Sequence, residues 1–174
     1  MTTVANNTVS PLRFPEFKDE WQKTSLGKFA PEIKSGLAAD QNSERLGVKV
    51  TRIETISDRT INLNRIGFVK IDRDIEDFKL LPGDILFSNI NSVSHIGKVA
   101  FVDRDYDLYQ GMNLLRLRTG SRNDPQFLFQ KLGSVRMVRY FQRICNQAVS
   151  QASINQTDLK KTPLIVPTLP EQRK

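Results

Sequence analysis

A single cysteine, Cys145, and a single histidine, His95, occur in a chain of 174 residues, so neither an internal disulfide nor the usual Cys/His zinc site can form. No apolar run approaches the ~20 residues that a membrane-spanning helix needs. The opening segment MTTVANNTVSPLRF has no basic stretch leading into an apolar one, the mark of a secretory leader. Together these absences lead to the expectation of a cytoplasmic protein without a membrane partner. Internal repeats, a phosphate-cradling glycine loop, a dinucleotide fingerprint and a metal-ligand cluster are missing too. Acidic side chains are in deficit, at 19 Asp and Glu against 26 Lys and Arg, which leaves a net charge of +7 and a field that attracts polyanions.

The residues present are those of an ordinary globular domain, 39% hydrophobic and 26% charged. Residues 1–11 read as a flexible arm, residues 12–167 as one domain and residues 168–174 as the start of a helix. Between Phe14 and Phe29 widely spaced apolar residues fit a segment wrapped over a core, with Trp21 as its anchor. Val48 and Val50 alternate with Lys49 and Thr51, and Ile61 and Leu63 with Asn62 and Asn64, which predicts strands joined by the polar turn Ser57–Thr60. Leu81-Pro82-Gly83-Asp84 has the order of a type II turn leading into the strand Ile85–Phe87. A buried strand follows at Val99–Val102, after the polar loop Ser88–Lys98. In the next strand Leu115 and Leu117 point one way and Arg116 and Arg118 the other, predicting one core face and one cationic face.

Asp124 and Pro125 start a helix, the first as cap and the second at the position where a missing N–H costs nothing. Gly133-Ser134 restarts it. Val138, Phe141 and Cys145 then form an apolar stripe while Arg136, Arg139 and Arg143 fall on another face. Asn155 caps a short helix before Thr162-Pro163, and Leu164–Val166 reads as a last strand. Thr168 and Glu171 have the spacing of a capping box. One helical turn is unstable by itself, so the expectation is that the natural protein continues into a longer helix.

Most of the excess charge is concentrated. From Leu108 to Thr157 the basic residues are Arg116, Arg118, Arg122, Lys131, Arg136, Arg139 and Arg143, against Asp124 alone. Arginine in a shared patch favours bidentate contacts to phosphate or guanine. Catalysis has little support. Asp124-Pro125-Gln126-Phe127 superficially has the look of the Asp-Pro-Pro-Tyr motif of amino-methyltransferases, but its third position is Gln and no methyl-donor glycine loop precedes it. Cys145 on an apolar stripe is a buried thiol, and His95 has neither carboxylate nor nucleophile motif beside it.

Six segments in order carry a family resemblance: LRFPEFKDEWQKTSLGKF, LLPGDILFS, IGKVAFV, YQGMNLLRLR, DPQFLFQKL and QAVSQASINQTDLKKTPLIVPTLPEQRK. From Leu12 to Lys174 the chain resembles the specificity subunit of type I restriction-modification enzymes. The resemblance implies a single α/β (α+β) target recognition domain, with a twisted, mostly antiparallel sheet and flanking short helices. That domain reads one half of a bipartite DNA sequence and is followed by a long spacer helix. It also implies a non-catalytic subunit that docks methyltransferase subunits and, through the complex, a restriction subunit. S-adenosylmethionine, ATP and magnesium then belong to those partners. A recognition domain of a fused restriction-methylation enzyme or a phage-defence methyltransferase is the alternative.

No base-contacting motif transfers residue by residue. The residues themselves nominate Asn89, Asn91, Ser92, Ser94 and His95 for base edges, with Lys49, Arg52 and Arg59 close by. Lys98, Arg116 and Arg118 are nominated for phosphates, and Arg136, Arg139 and Arg143 for docking the methyltransferase. Gly83, Asp84, Gly97, Gln151 and Asn155 read as turn, cap and packing positions. No metal ligands and no catalytic residues are expected.

Overall fold

The computed structural model describes residues 13–42, 44–148 and 151–174, so the expected arm lies outside the described residues. In chain order the elements are β1 (Gln22–Ser25), α1 (Leu26–Phe29), β2 (Glu32–Ser35), β3 (Val48–Thr51), β4 (Ile66–Val69), β5 (Ile85–Phe87), β6 (Ile90–Asn91) and β7 (Val99–Phe101). They continue as β8 (Leu115–Arg118), α2 (Pro125–Leu132), α3 (Val135–Ile144), β9 (Asn146–Gln147), β10 (Ala152–Ser153), α4 (Gln156–Lys160), β11 (Pro163–Val166) and α5 (Leu169–Gln172). Among the described residues the strands form small sheets in the orders β2-β8-β5-β7, β6-β10-β9, β1-β11 and β3-β4. Their pairings are antiparallel, as the α+β reading requires.

Local chemistry explains the helix starts. Asp124 accepts the Phe127 amide at 2.8 Å, Ser134 the Met137 amide at 3.4 Å and Asn155 the Asp158 amide at 2.8 Å, each side chain satisfying an amide that the first helical turn leaves unpaired. The turn before β5 closes with Asp84 N–H donating to Leu81 O at 3.0 Å, and Gly83 has φ +94°.

The four-stranded sheet is buried on both faces. Ile85, Phe87, Val99, Leu115 and Leu117 share the larger core with α1, α2 and α3. Leu86 and Ala100 point the other way into a second core with Ile56, Ile61, Leu80 and Leu108. Arg116 stands level with Leu86 on the neighbouring strand, so it too enters this second core. The expected cationic face of β8 is therefore an interior face at Arg116, while Arg118 at the strand end is half-buried.

Two further expectations are corrected. The stretch from Ile61 to Leu63 is not a strand: Ile61 is buried, Leu63 opens a 3-10 turn (Leu63–Arg65) and β4 begins only at Ile66. Asn62 causes this by accepting the Asn64 amide at 3.0 Å, a local bond that competes with strand pairing. Thr168 makes no side-chain cap, because Glu171 faces inward. There Glu171 accepts two bonds from Arg13, at 2.8 and 2.8 Å, and one from Trp21 Nε1 at 3.0 Å. Trp21 is an anchor, as expected, and its polar edge fastens α5 to the segment before β1. Trp21→Phe should cost about 1.5–3 kcal/mol, the worth of a hydrogen bond to a charged group. Urea unfolding reads this as a lowered midpoint at constant slope; an unmoved midpoint would show that Arg13 alone suffices.

Candidate nucleic-acid interface

The polar loop is built on a closed base. Beyond β5 and β7, Ser88 N–H donates to Lys98 O at 2.8 Å and Gly97 N–H to Ser88 O at 3.0 Å, while Ile96 is fully buried. Gly97 has φ +80° and lies under the Phe141 ring, where no side chain would fit. With its base pinned, the tip is ordered by its own polar groups. Asn91 Oδ1 accepts the Ser92 amide at 2.8 Å, and Ser92 Oγ lies 3.1 Å from both Ser94 Oγ and His95 Nδ1. Ser92, Ser94 and His95 are exposed, and Asn91 and Lys98 are half-buried. Ser88, Asn91, His95 and Lys98 face the 3-10 turn Ile53–Ile56 across a cleft of about 270 Å³. Each polar side chain of the tip keeps unused donor or acceptor capacity, since one amide or hydroxyl can make several bonds.

Asn89 does not join this surface. The residue is 9% exposed, its side chain donates to Ile154 O at 3.4 Å, and its backbone carbonyl accepts the Ile154 amide at 2.9 Å. It is an internal tie between the loop and the chain before α4.

The nominated cations separate into two groups. Lys49 is exposed and pairs with Asp107 at 3.4 Å, and exposed Arg52 pairs with Glu54 at 3.4 Å, beside the cleft. Such surface pairs are worth about 0–1 kcal/mol and yield readily to a phosphate. Arg59 is committed elsewhere: its guanidinium lies 4.5 Å from the Phe129 ring centre and donates to Gly133 O at 3.0 Å and Gln130 Oε1 at 3.1 Å. It pins the 57–60 turn to the junction of α2 and α3.

Arg116 and Arg118 are corrected from phosphate ligands to structural groups. Arg116 is 1% exposed and donates to Glu32 at 2.5 Å, to Asp77 O at 2.9 Å and to Lys79 O at 3.1 Å. Arg118 forks onto buried Asp84 at 2.7 and 2.9 Å and reaches Glu32 at 3.3 Å. The Arg116 guanidinium, inside a two-layered core, has to find carboxylates and carbonyls within the protein, because water cannot solvate it there.

Arg136, Arg139 and Arg143 do project from α3, and all three are exposed. Among the described residues none of them has an acidic partner within salt-bridge distance. Val135 beside them is 67% exposed, and a groove of about 700 Å³ runs between this face and Pro163. Burial, and to a smaller extent the nearby Arg136 charge, holds the Lys131 ammonium below its ordinary pKa. Cys145 is buried, and the His95 ring bonds to the Ser92 hydroxyl. Among the described residues no group of three His, Cys, Asp or Glu side chains is placed to hold a metal ion, and no helix is long and apolar enough to cross a membrane.

Comparison with known proteins gives this surface its context. The family model described as type I restriction modification DNA specificity domain matches residues 18–174. The chain belongs to that family. It is 41% identical over 162 residues to a protein of Methanocaldococcus jannaschii named as the type I restriction enzyme MjaX specificity subunit, covering 91% of this chain and 38% of that protein. The fold is also that of the HsdS subunit from Thermoanaerobacter tengcongensis, at TM-score 0.63 and 20% identity over 91% of this chain and 36% of that one. A chain from a solved type I R-M system assembly gives TM-score 0.64 at 20% identity, covering 91% of this chain and 37% of its own length. This specificity domain thus spans well under half the length of these relatives. Within it, Gly83, Asp84, Gly97 and Asn155 are turn, anchor and cap positions, as expected. Gln151, expected as a packing position, is exposed instead.

Proposed function

We propose that this chain is a target recognition domain that reads one half of a bipartite sequence in double-stranded DNA for a type I restriction-modification complex. The observation that carries this reading is the loop tip at Asn91, Ser92, Ser94 and His95. It is exposed and rich in short donors and acceptors, Lys98 lines the same cleft, and Arg52 beside it and Lys49 on β3 carry charges held only by weak surface pairs. Short polar side chains on a pinned loop suit base edges, and loosely paired cations at the rim suit phosphates.

On this reading the domain is non-catalytic and directs partners. The α3 face of Arg136, Arg139 and Arg143 docks a methyltransferase subunit, through which the restriction subunit joins. S-adenosylmethionine, ATP and magnesium are held by those partners, in the cytoplasm. The turn at α5 begins the spacer helix that separates this domain from a second recognition unit.

Binding to duplex DNA at several salt concentrations tests the assignment. Lys98→Ala should weaken all sequences alike and lower the salt slope by about one. Asn91→Ala should cost about 1–3 kcal/mol on the target sequence only. Equal losses on every sequence from both variants would refute the division of labour, and an absence of DNA binding at low salt would refute the function.

A further inference from the structure

From Ile144 to Thr157 the chain runs for 14 residues without a charged side chain, immediately after the arginines of α3. Tertiary structure sets this stretch beside the polar loop. β10 lies between β6 and β9, with Ala152 level with Asn91 on one side and with Gln147 on the other. Past this row, Ala148 and Gln151 exchange backbone bonds at 2.8 and 3.3 Å. Continuing the register by one residue brings Gln151 level with Ser92. Ala148, Gln151 and the loop tip therefore lie at the same end of one small sheet. Both bonds between Asn89 and Ile154 tie the two segments together at their other end.

Gln147, Ala148 and Gln151 are exposed, and among the described residues the side chains of Gln147 and Gln151 have no hydrogen-bond partner. A glutamine offers a donor and an acceptor side by side, the complement of the adenine N6 and N7 edge, and a two-stranded ribbon fits the major groove. Phosphate binding is not the task of this hairpin, since it carries no cation. Adjacent strands stand about 4.8 Å apart, so Gln147 on β9 lies about 10 Å from Asn91 on β6, close to three base-pair steps of about 3.4 Å. Gln151 lies one strand spacing from Ser92, and alternation along the strand turns it to the opposite face of the hairpin from Gln147.

We propose that the β9–β10 hairpin is a second base-reading element, in which Gln147 and Gln151 contact base pairs distinct from those met by the Asn91–His95 loop. The proposal rests on the DNA-reading function argued above. Selection of bound duplexes from a randomised library, by the full-length protein that contains this chain, tests both. Gln147→Ala or Gln151→Ala should relax the preference by about tenfold at a position that Asn91→Ala leaves unchanged. A motif unaltered by both glutamine variants but altered by Asn91→Ala overturns the hairpin proposal and leaves the function standing. If the wild type enriches no motif, the function itself is overturned.

Discussion

Replacing Arg116 by alanine is expected to destabilise the domain by about 3–5 kcal/mol, the range for breaking a buried ion pair and opening a core cavity. Arg116 is among the largest fully buried side chains of the chain. It supplies donors to the carbonyls of Asp77 and Lys79 and, with Arg118, helps to neutralise Glu32. Acid should reveal the same network. Partial burial raises the pKa of Glu32, but Arg118 and Arg116 outweigh it and hold the carboxyl below its ordinary value of 4.5. A carboxyl whose pKa is depressed by folding adds stability above its unfolded value, and loses it as pH falls through the folded value. Wild-type stability should therefore drop as pH falls below about 4.5, and this acid-linked drop should be smaller in Arg116→Ala. Urea midpoints at neutral and acid pH measure both effects. Wild-type stability in the variant would return Arg116 to the list of phosphate ligands.

Gly97→Ala is expected to cost about 2–4 kcal/mol, from the strain of a left-handed backbone together with overpacking. A Cβ at Gly97 would meet Phe141 Cδ2 at 2.8 Å and Cβ at 3.0 Å. Phe141 cannot retreat, since it is fully buried with its ring edge-on to Phe87 at 4.9 Å between centroids. The adjustment should therefore fall on the loop, and affinity should drop for every DNA sequence. Gly83→Ala is the matched control: φ is +94° there, yet the added Cβ meets only Pro125 Cγ at 3.6 Å. It should show the strain alone, about 1–2 kcal/mol. Thermal or urea unfolding, followed by DNA binding where both variants are folded, separates the two costs. If Gly97→Ala is no worse than Gly83→Ala, the base of the loop is softer than the packing indicates.

Where the determinants are local, the residues announced the structure well. The caps at Asp124, Ser134 and Asn155, the Pro82-Gly83 turn and the strands at Val48, Ile85, Val99, Leu115 and Leu164 are each settled by a few neighbouring residues. The polar loop was legible as a loop, because Ser88–Lys98 separates two fully apolar strands, but the short strand β6 at Ile90–Asn91, which pairs with distant β10, was not. Failures came where a local signal was ambiguous. Ile61 and Leu63 alternate like a strand, but the Asn62 side chain closes a turn instead. Asn89 and Asn91 look alike in sequence, and only Asn91 borders the cleft, while Asn89 bonds to Ile154, 65 residues away.

Sequence alone determined the class of this protein: a charged, disulfide-free α+β domain with a basic second half, built from short strands and capped helices. Periodicity reports which side of a strand a residue takes, and β8 does place Leu115 and Leu117 opposite Arg116. It cannot report what covers that side. Apart from Leu114, the second core behind the sheet is assembled from residues remote from β8 in the chain, among them Ile56, Ile61 and Leu80. Only tertiary packing could turn Arg116 from a surface cation into a buried strut, leave α3 as the open cationic face, and bring an uncharged hairpin beside the polar loop. Charge and hydropathy are properties of residues, whereas solvent access belongs to the assembled layers.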